Sequence, residues 1–454
     1  MEKSRLGFPK RPFRTKGGAK VPHRKNTAGA ESVVMPSPEE VIIPMQQHIG
    51  APCKPCVTVG DEVFVGTVIG DSDAFVSAPI HSSVSGTVKK IDKITLPSGA
   101  QTDAVIITSD GKDTPDPGIQ PPVVNSLEDF LSAVRASGLV GLGGAGFPAH
   151  VKLNVPKDKK IDTLLINCAE CEPYITADHR EIVENSWAVV SGVYAVAELL
   201  SIDRVIIGIE DNKPDAIKIM REIADNEKFD PKDIVRVLPL KASYPQGAEK
   251  VLIKACTGRE VPIGKLPADA GCIVMNVASV AFLSNYLKTG MPLTKKRITV
   301  DGSAIKNPQN VIVPIGTPIN KVMEFCGGFK EEPKKMLMGG PMMGLALVDD
   351  SLPVLKQNNA ILSFAEKEAR LYTPTDCIRC GRCVSACPMN LMPPKLTEAT
   401  KLKDFDMMQK YQIMTCMECG SCAYACPAHR HIVQTIRLGK TQLRAEMQKK
   451  KGDK

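Results

Sequence analysis

A chain of 454 residues with 43% apolar and 24% charged residues has the composition of an ordinary globular protein and the length for three or four domains. Aromatic residues reach only 4%, with one Trp, which excludes an aromatic-rich nucleic-acid or carbohydrate surface. The net charge of +8 is modest but uneven: residues 1–25 hold nine Lys or Arg against one acid, and the chain closes on "MQKKKGDK". Both basic ends read as solvated segments that could dock on an anionic membrane or an acidic partner. No apolar run follows the basic start, so no export signal is expected, and disulfides are a poor use for the fifteen cysteines. Metal binding is the better use.

After a basic arm over residues 1–35, residues 36–115 alternate short Val/Ile-rich strands with glycines, as in "VTVGDEVFVGTVIG" and "SSVSGTVKKI". The pattern is a small β-sandwich. It resembles the lipoyl/biotinyl barrel-sandwich hybrid, but "APIHSS" puts His81 where a carrier lysine would stand, which implies a structural or docking role. Cys53 and Cys56 form a C-x2-C pair with His48 nearby, and two thiolates alone are too few for a metal site.

Residues 120–292 read as an α/β domain. An amphipathic helix with Leu127, Phe130, Leu131 and Val134 on one face runs into "GLVGLGGAGFPAHVKLN". Gly141, Gly143 and Gly146 satisfy G-x-G-x-x-G, yet a dinucleotide fingerprint follows a strand, and Walker A needs a Lys-Ser/Thr that is missing. Four glycines in six residues still bring bare backbone N–H groups to a ligand such as a phosphate, with Lys152 in reach as a cation. A plain structural turn would use the same glycines. Beyond the loop, "KIDTLLIN" and "DRVIIGIE" read as buried strands, and "EIVENSWAVVSGVYAVAELL" and "KPDAIKIMREIADN" as helices. "DIVRVLPL", "GAEKVLIKAC" and "CIVMNV" continue the order, so a parallel sheet with helices on both faces is expected. Asn167, Glu170 and Glu172 follow the first strand and Asn276 the last, at the carboxyl ends where open α/β sheets bind ligands. The uncharged run "AGCIVMNVASVAFLSNYL" is interrupted by Asn and Ser and reads as a strand followed by a helix, not a membrane span.

Residues 293–366 alternate as strands with nothing chemical in them. Residues 367–436 carry the strongest signal. Cys377, Cys380, Cys383 and Cys387 have the spacing C-x2-C-x2-C-x3-C-P, and Cys416, Cys419, Cys422 and Cys426 repeat it. Zinc usually takes two separated C-x2-C pairs, whereas three close thiolates suit three irons of a cubane. In two-cluster ferredoxins the last Cys of each run serves the other cluster. One [4Fe-4S] set is then Cys377, Cys380, Cys383 and Cys426, and the other is Cys416, Cys419, Cys422 and Cys387. Helical spacing between the motifs after Pro393-Pro394 indicates a helical ferredoxin module, followed by a basic tail at 437–454.

"GLGGAGFPAHVKLN" and "NCAECEPYITADHR" resemble the FMN- and NADH-binding subunit of respiratory complex I. Several other stretches make the whole chain similar to the C subunits of Rnf complexes, the ion-translocating ferredoxin:NAD oxidoreductases. These are "KGGAKVPHRKN", "QHIGAPCKPCVTVGDEV", "APIHSSVSGTV", "GGPMMG" and the doubled cysteine motif. The resemblance implies a multidomain α/β protein: a barrel-sandwich hybrid, a parallel-sheet FMN/NADH domain, an SLBB-like β-grasp domain at 293–366, and a helical two-cluster ferredoxin domain. It implies that Gly141, Gly143, Gly144, Gly146 and Lys152 surround a noncovalent FMN, and that Asn167, Glu170 and Asn276 touch the flavin. It puts Phe147 and Glu172 near the nicotinamide path and Tyr244, Gly247 and Glu249 at NAD(H). Leu142 departs from the Arg usual in complex I, and Ala169 from an acid. The implied role is that of a peripheral component on the cytoplasmic side of the cell membrane. It would exchange hydride between NAD(H) and FMN and pass electrons through two [4Fe-4S] clusters. No catalytic base is required. The implied partners are an iron–sulfur subunit and integral membrane subunits that move Na+ or H+, with ferredoxin reached indirectly and no nucleic acid. A soluble bifurcating NADH dehydrogenase module and a non-catalytic ferredoxin-like adaptor are the alternatives.

Overall fold

The computed structural model describes residues 7–156 and 158–452. The barrel-sandwich region has two sheets. Glu40–Pro44, Gln101–Ser109, Gly86–Thr95 and Glu62–Val63 lie side by side in that order, and Lys54–Pro55, Val68–Asp71 and Ile80–His81 form the second sheet. The alternating apolar residues close the core between them: Val41, Ile43, Val105 and Ile107 meet Ile69 and Ile80. His81 is part of that interior, and burial drops its imidazole to about 3. A docking role for it is therefore excluded. Cys53 is buried against the Ala78 carbonyl while Cys56 is exposed beside Lys54, so the pair does not converge.

The α/β domain is built on four parallel strands in the order Val235–Leu240, Val205–Glu210, Thr163–Cys168, Cys272–Asn276. The apolar runs of the three strands Val205–Glu210, Thr163–Cys168 and Cys272–Asn276 suit a sheet covered on both faces, and two separate apolar clusters supply the cover. "EIVENSWAVVSGVYAVAELL" is not one helix. It breaks at Asn185 into Ala177–Glu184 and Ser186–Leu199, and the Asn185 amide turns back to Glu181. "GAEKVLIKAC" becomes the helix Glu249–Thr257. The run after Gly271 folds as the strand Cys272–Asn276 and the helix Val277–Thr289.

The β-grasp region is a six-stranded mixed sheet with the helix Ile319–Phe325 packed in its core cluster. Its edge strand Val33–Val34 comes from the amino-terminal segment and runs parallel to Gln309–Pro314. In the ferredoxin region, the helix Pro393–Leu402 packs on the long helix Ile432–Gly452. The paired prolines sit at the first helical positions, where a missing N–H costs nothing.

Both solvated ends expected from charge are corrected. The carboxyl-terminal basic stretch continues the helix Ile432–Gly452, which buries Ile436 and Leu443. The amino-terminal stretch is a strap. Phe13 donates its N–H to the Ala255 carbonyl, Ala19 bridges to Tyr244, and Thr27 is buried against Thr176. Charge counting missed this because the intervening Gly, Ala, Val and Thr make the contacts. Residues 1–6 and 453–454 of these ends lie outside the described residues.

Candidate functional site

The glycine loop closes on itself: Gly141 N–H donates to Phe147 O at 2.8 Å, and Gly146 N–H to Gly141 O at 3.2 Å. Gly143 and Gly144 are exposed at its crest, and a Cβ on Gly144 would meet nothing within 4 Å. A Cβ on Gly143 would stand 3.1 Å from the Asn276 amide. Bare backbone thus faces open space beside a side-chain amide, which fits a phosphate-bearing ligand. Leu142, the departure from complex I, is buried below the crest, where its N–H donates to Ser279 and its carbonyl accepts from Lys296.

Asn167 and Asn276 end adjacent parallel strands in direct register. The Asn276 amide donates to Asp178 Oδ2 at 2.6 Å, and its carbonyl oxygen caps the helix Val277–Thr289 through Ala278 N–H. The Asn167 amide donates to Gly247 O at 2.9 Å. Glu170 caps the helix Ala177–Glu184 by accepting from Asp178 and His179 N–H groups. Burial, with Glu170 close by, lifts the Asp178 carboxyl to about 7. Lys152 reaches Glu249 at 2.8 Å and the Val274 carbonyl at 3.1 Å. Gly247 has no room for a side chain, because a Cβ there would overlap the Ala169 carbonyl oxygen. These groups can bind and orient a ligand, and none of them forms a nucleophile–base pair.

Tyr244 and Glu172, expected near the nicotinamide, are both well covered. Tyr244 is 2% exposed and its hydroxyl donates to Cys419 O at 2.5 Å, against the ferredoxin domain. Glu172 is buried against the loop 339–344, where Oε2 accepts from Met342 N–H at 3.0 Å. The Tyr244 hydroxyl lies beside this carboxyl, which burial lifts to about 7. Phe147 is half-buried beside the glycine loop.

The structure brings Cys387 to Cys416, Cys419 and Cys422, all four lining one cavity walled by Leu391, Leu396, Val433 and Ile436. Burial raises the Cys383 thiol, and Cys426 and Cys377 lie near enough to raise it further. Each fourth cysteine therefore stands with the opposite motif. Three thiolates from one tight motif and a fourth from the other suit the corners of a cubane, so the donor set fits two [4Fe-4S] clusters. Cys419 and Cys422 are buried and Cys377 and Cys380 exposed, which makes one thiolate set inner and the other outer.

Sequence reasoning gave no role to Met342, whose backbone N–H meets the Glu172 carboxylate, because a backbone contact between distant loops has no spacing signature.

Over 96% of its length this chain is 45% identical to the C subunit of the Na(+)-translocating ferredoxin:NAD(+) oxidoreductase complex of Acetobacterium woodii, covering 98% of that protein. It is 46% identical to the C subunit of the proton-translocating complex of Clostridium ljungdahlii over 94% of this chain and 93% of that one. The chain belongs to the C-subunit family of ion-translocating ferredoxin:NAD(+) oxidoreductase complexes. The Rhodobacter capsulatus member is 38% identical, over 98% of this chain and 86% of its own length. Family profiles match in order: the RnfC barrel sandwich hybrid domain at 13–112, the Nuo51 FMN-binding domain at 134–285, the SLBB domain at 297–346, and the 4Fe-4S dicluster domain at 376–429. The first match begins inside the strap. A solved NAD+-reducing [NiFe]-hydrogenase chain superposes with TM-score 0.49 at 17% identity, over 68% of this chain and 63% of that one, too loosely to add to this. No described helix is long and apolar enough to cross a membrane.

Proposed function

We propose that this family member relays electrons between NAD(H) and a partner iron–sulfur subunit of a membrane-bound complex, on whose cytoplasmic side it sits peripherally. Partner subunits move the Na+ or H+, and ferredoxin is reached through them. A noncovalent FMN at the glycine loop would exchange electrons in pairs with nicotinamide and singly with iron–sulfur centres. Gly141, Gly143, Gly144 and Gly146 offer backbone N–H groups to its phosphate, with Lys152 as the nearby cation. Asn167, Asn276 and Glu170 fix the floor of the site through the strand ends and the helix cap. Gly247 and Glu249 lie at its edge, where the helix Glu249–Thr257 begins.

One observation carries this reading: the inner thiolate set rests directly on the α/β domain, Tyr244 donating to the carbonyl of the ligand residue Cys419. Isolated electron carriers have no use for such a seam. The test is oxygen-free purification of the native assembly with iron, sulfide, flavin and subunit analysis. About eight irons per chain, from two four-iron clusters, and FMN released by acid are expected, together with integral membrane subunits. Flavin retained in the acid pellet contradicts noncovalent binding, and a purely soluble assembly contradicts the membrane role.

A further inference from the structure

Two stretches have no part in that reading, "KGGAKVPHRKN" at 16–26 and "GGPMMG" at 339–344, and "SYPQGAEK" at 243–250 enters it only through Tyr244, Gly247 and Glu249. The fold brings them to one seam. Val21, Tyr244 and Cys419 form a buried cluster with Ala19, Cys171, Met342 and Met417 packed around it. Strap, α/β domain, β-grasp loop and ferredoxin domain each supply a side chain. A Cβ on Gly420 would lie 2.9 Å from Met342 O, and one on Gly340 would lie against the Glu172 carboxylate, so the loop 339–344 is pressed from both sides.

The strap backbone is confined most tightly at its paired glycines. A Cβ on Gly17 would stand 2.7 Å from the Cys387 carbonyl, and one on Gly18 would overlap the Tyr244 carbonyl oxygen. Their φ angles of +68° and +96° also favour glycine. Gly18 N–H donates to Ala386 O at 2.9 Å, and Ala19 N–H to Tyr244 O at 2.8 Å. The turn that carries Cys387 into the inner set is thus held by strap backbone. Further along, Lys25 Nζ donates to the carbonyls of Glu170 at 2.7 Å, Glu172 at 2.9 Å and Ile175 at 2.5 Å. Three carbonyls match the three protons of an ammonium and draw the loop 170–175 to one point. The same loop holds Glu170, which caps the helix whose Asp178 binds Asn276.

We propose that Gly17, Gly18 and Lys25 are positioning residues that keep the inner iron–sulfur turn in register with the flavin-side loop for electron transfer between them. Lys25 acts through loop carbonyls and the glycines through the Cys387 turn. The inference rests on the electron relay proposed above and names the part of the chain that sets its geometry.

Full-length Lys25→Met, Lys25→Arg and Gly18→Ala proteins, purified without oxygen, are assayed for iron and flavin, mixed with NADH in a stopped flow, and frozen for EPR. Full iron and flavin content and flavin bleaching at the unaltered rate are expected. The iron–sulfur signal should then develop several-fold more slowly in Lys25→Met, since a displaced loop lengthens the path that the electron must cross. Lys25→Arg, which keeps a cation, should be partly rescued. Iron–sulfur reduction at the unaltered rate in Lys25→Met overturns the proposal. So does loss of iron or flavin from both Lys25→Met and Gly18→Ala, which makes the strap a folding element only. If NADH leaves the flavin of the unaltered protein oxidised, the relay itself falls and this inference with it, an outcome distinct from the other two.

Discussion

Lys356 stands where three regions meet. It is fully buried, and its ammonium donates to the Pro79 carbonyl of the sandwich and the Gly138 carbonyl of the α/β domain, at 2.7 and 2.8 Å. Carbonyls accept without neutralising, so burial pulls the lysine from 10.5 down to about 7. The folded chain then binds fewer protons here than the unfolded chain between those values, and the site's contribution to stability rises with pH across that window. Below about 7 both states are protonated and the cost of the buried charge is present in full. Lys356→Met removes the titration. The melting temperature of the unaltered protein relative to this variant should therefore climb from about pH 6.5 to about pH 10, and a flat difference would show an ammonium charged throughout. At the same scale, Gly143→Val puts branched carbons against the Asn276 amide and on the open crest of the glycine loop. Flavin content after gel filtration should drop several-fold with the iron unchanged. The site glycines were legible in the sequence because only glycine permits such a crest. Lys356 was not, because a lysine buried among carbonyls reads as a surface residue until the fold is known.

Among the elements, the helices Ser186–Leu199 and Val277–Thr289 approach each other closely in the α/β domain. A Cβ on Gly192 would overlap the Val280 carbonyl oxygen, a contact with no slack. Gly192→Ala must push the helices apart, and overpacking of this kind costs about 1–3 kcal/mol. The displacement would reach the ligand site, because Val277–Thr289 starts from Asn276, whose amide lies against Gly143. A lower melting temperature and weaker flavin retention should appear together in calorimetry and fluorescence. Gly29→Ala, where a Cβ meets nothing within 4 Å, should change neither. The strands that frame this site were readable from their apolar runs, since both faces of a parallel sheet are covered. The break at Asn185 was not, because the apolar spacing continues across it and only a local side-chain bond ends the first helix. The strap escaped for a different reason. It carries no periodicity: it is held by backbone hydrogen bonds and by glycines that fit between two domains.

For the molecule as a whole, the order of the two iron–sulfur sites follows from exposure and contact. The inner thiolates, Cys387, Cys416, Cys419 and Cys422, line a cavity whose lip is gripped by Tyr244 and the strap. In the outer set Cys377 and Cys380 are exposed, within a stretch where every residue from 370 to 382 is exposed. A relay in series from the α/β domain to the surface would therefore pass the inner site first. Replacing one ligand in each set separates series from parallel wiring. Cys380→Ser should lower iron from about eight toward about four per chain. It should leave NADH reduction of the flavin and of the inner centre intact, and abolish delivery to the partner iron–sulfur subunit. Cys422→Ser should also leave flavin bleaching intact, but the outer EPR signal should no longer appear on the NADH timescale, although dithionite still produces it. Because Cys422 is buried, the dithionite signal also reports that the ferredoxin region has folded. Should NADH still reduce the outer centre at the unaltered rate in Cys422→Ser, electrons reach the surface without crossing the seam, and the tight packing of four segments around Cys419 would serve the fold alone.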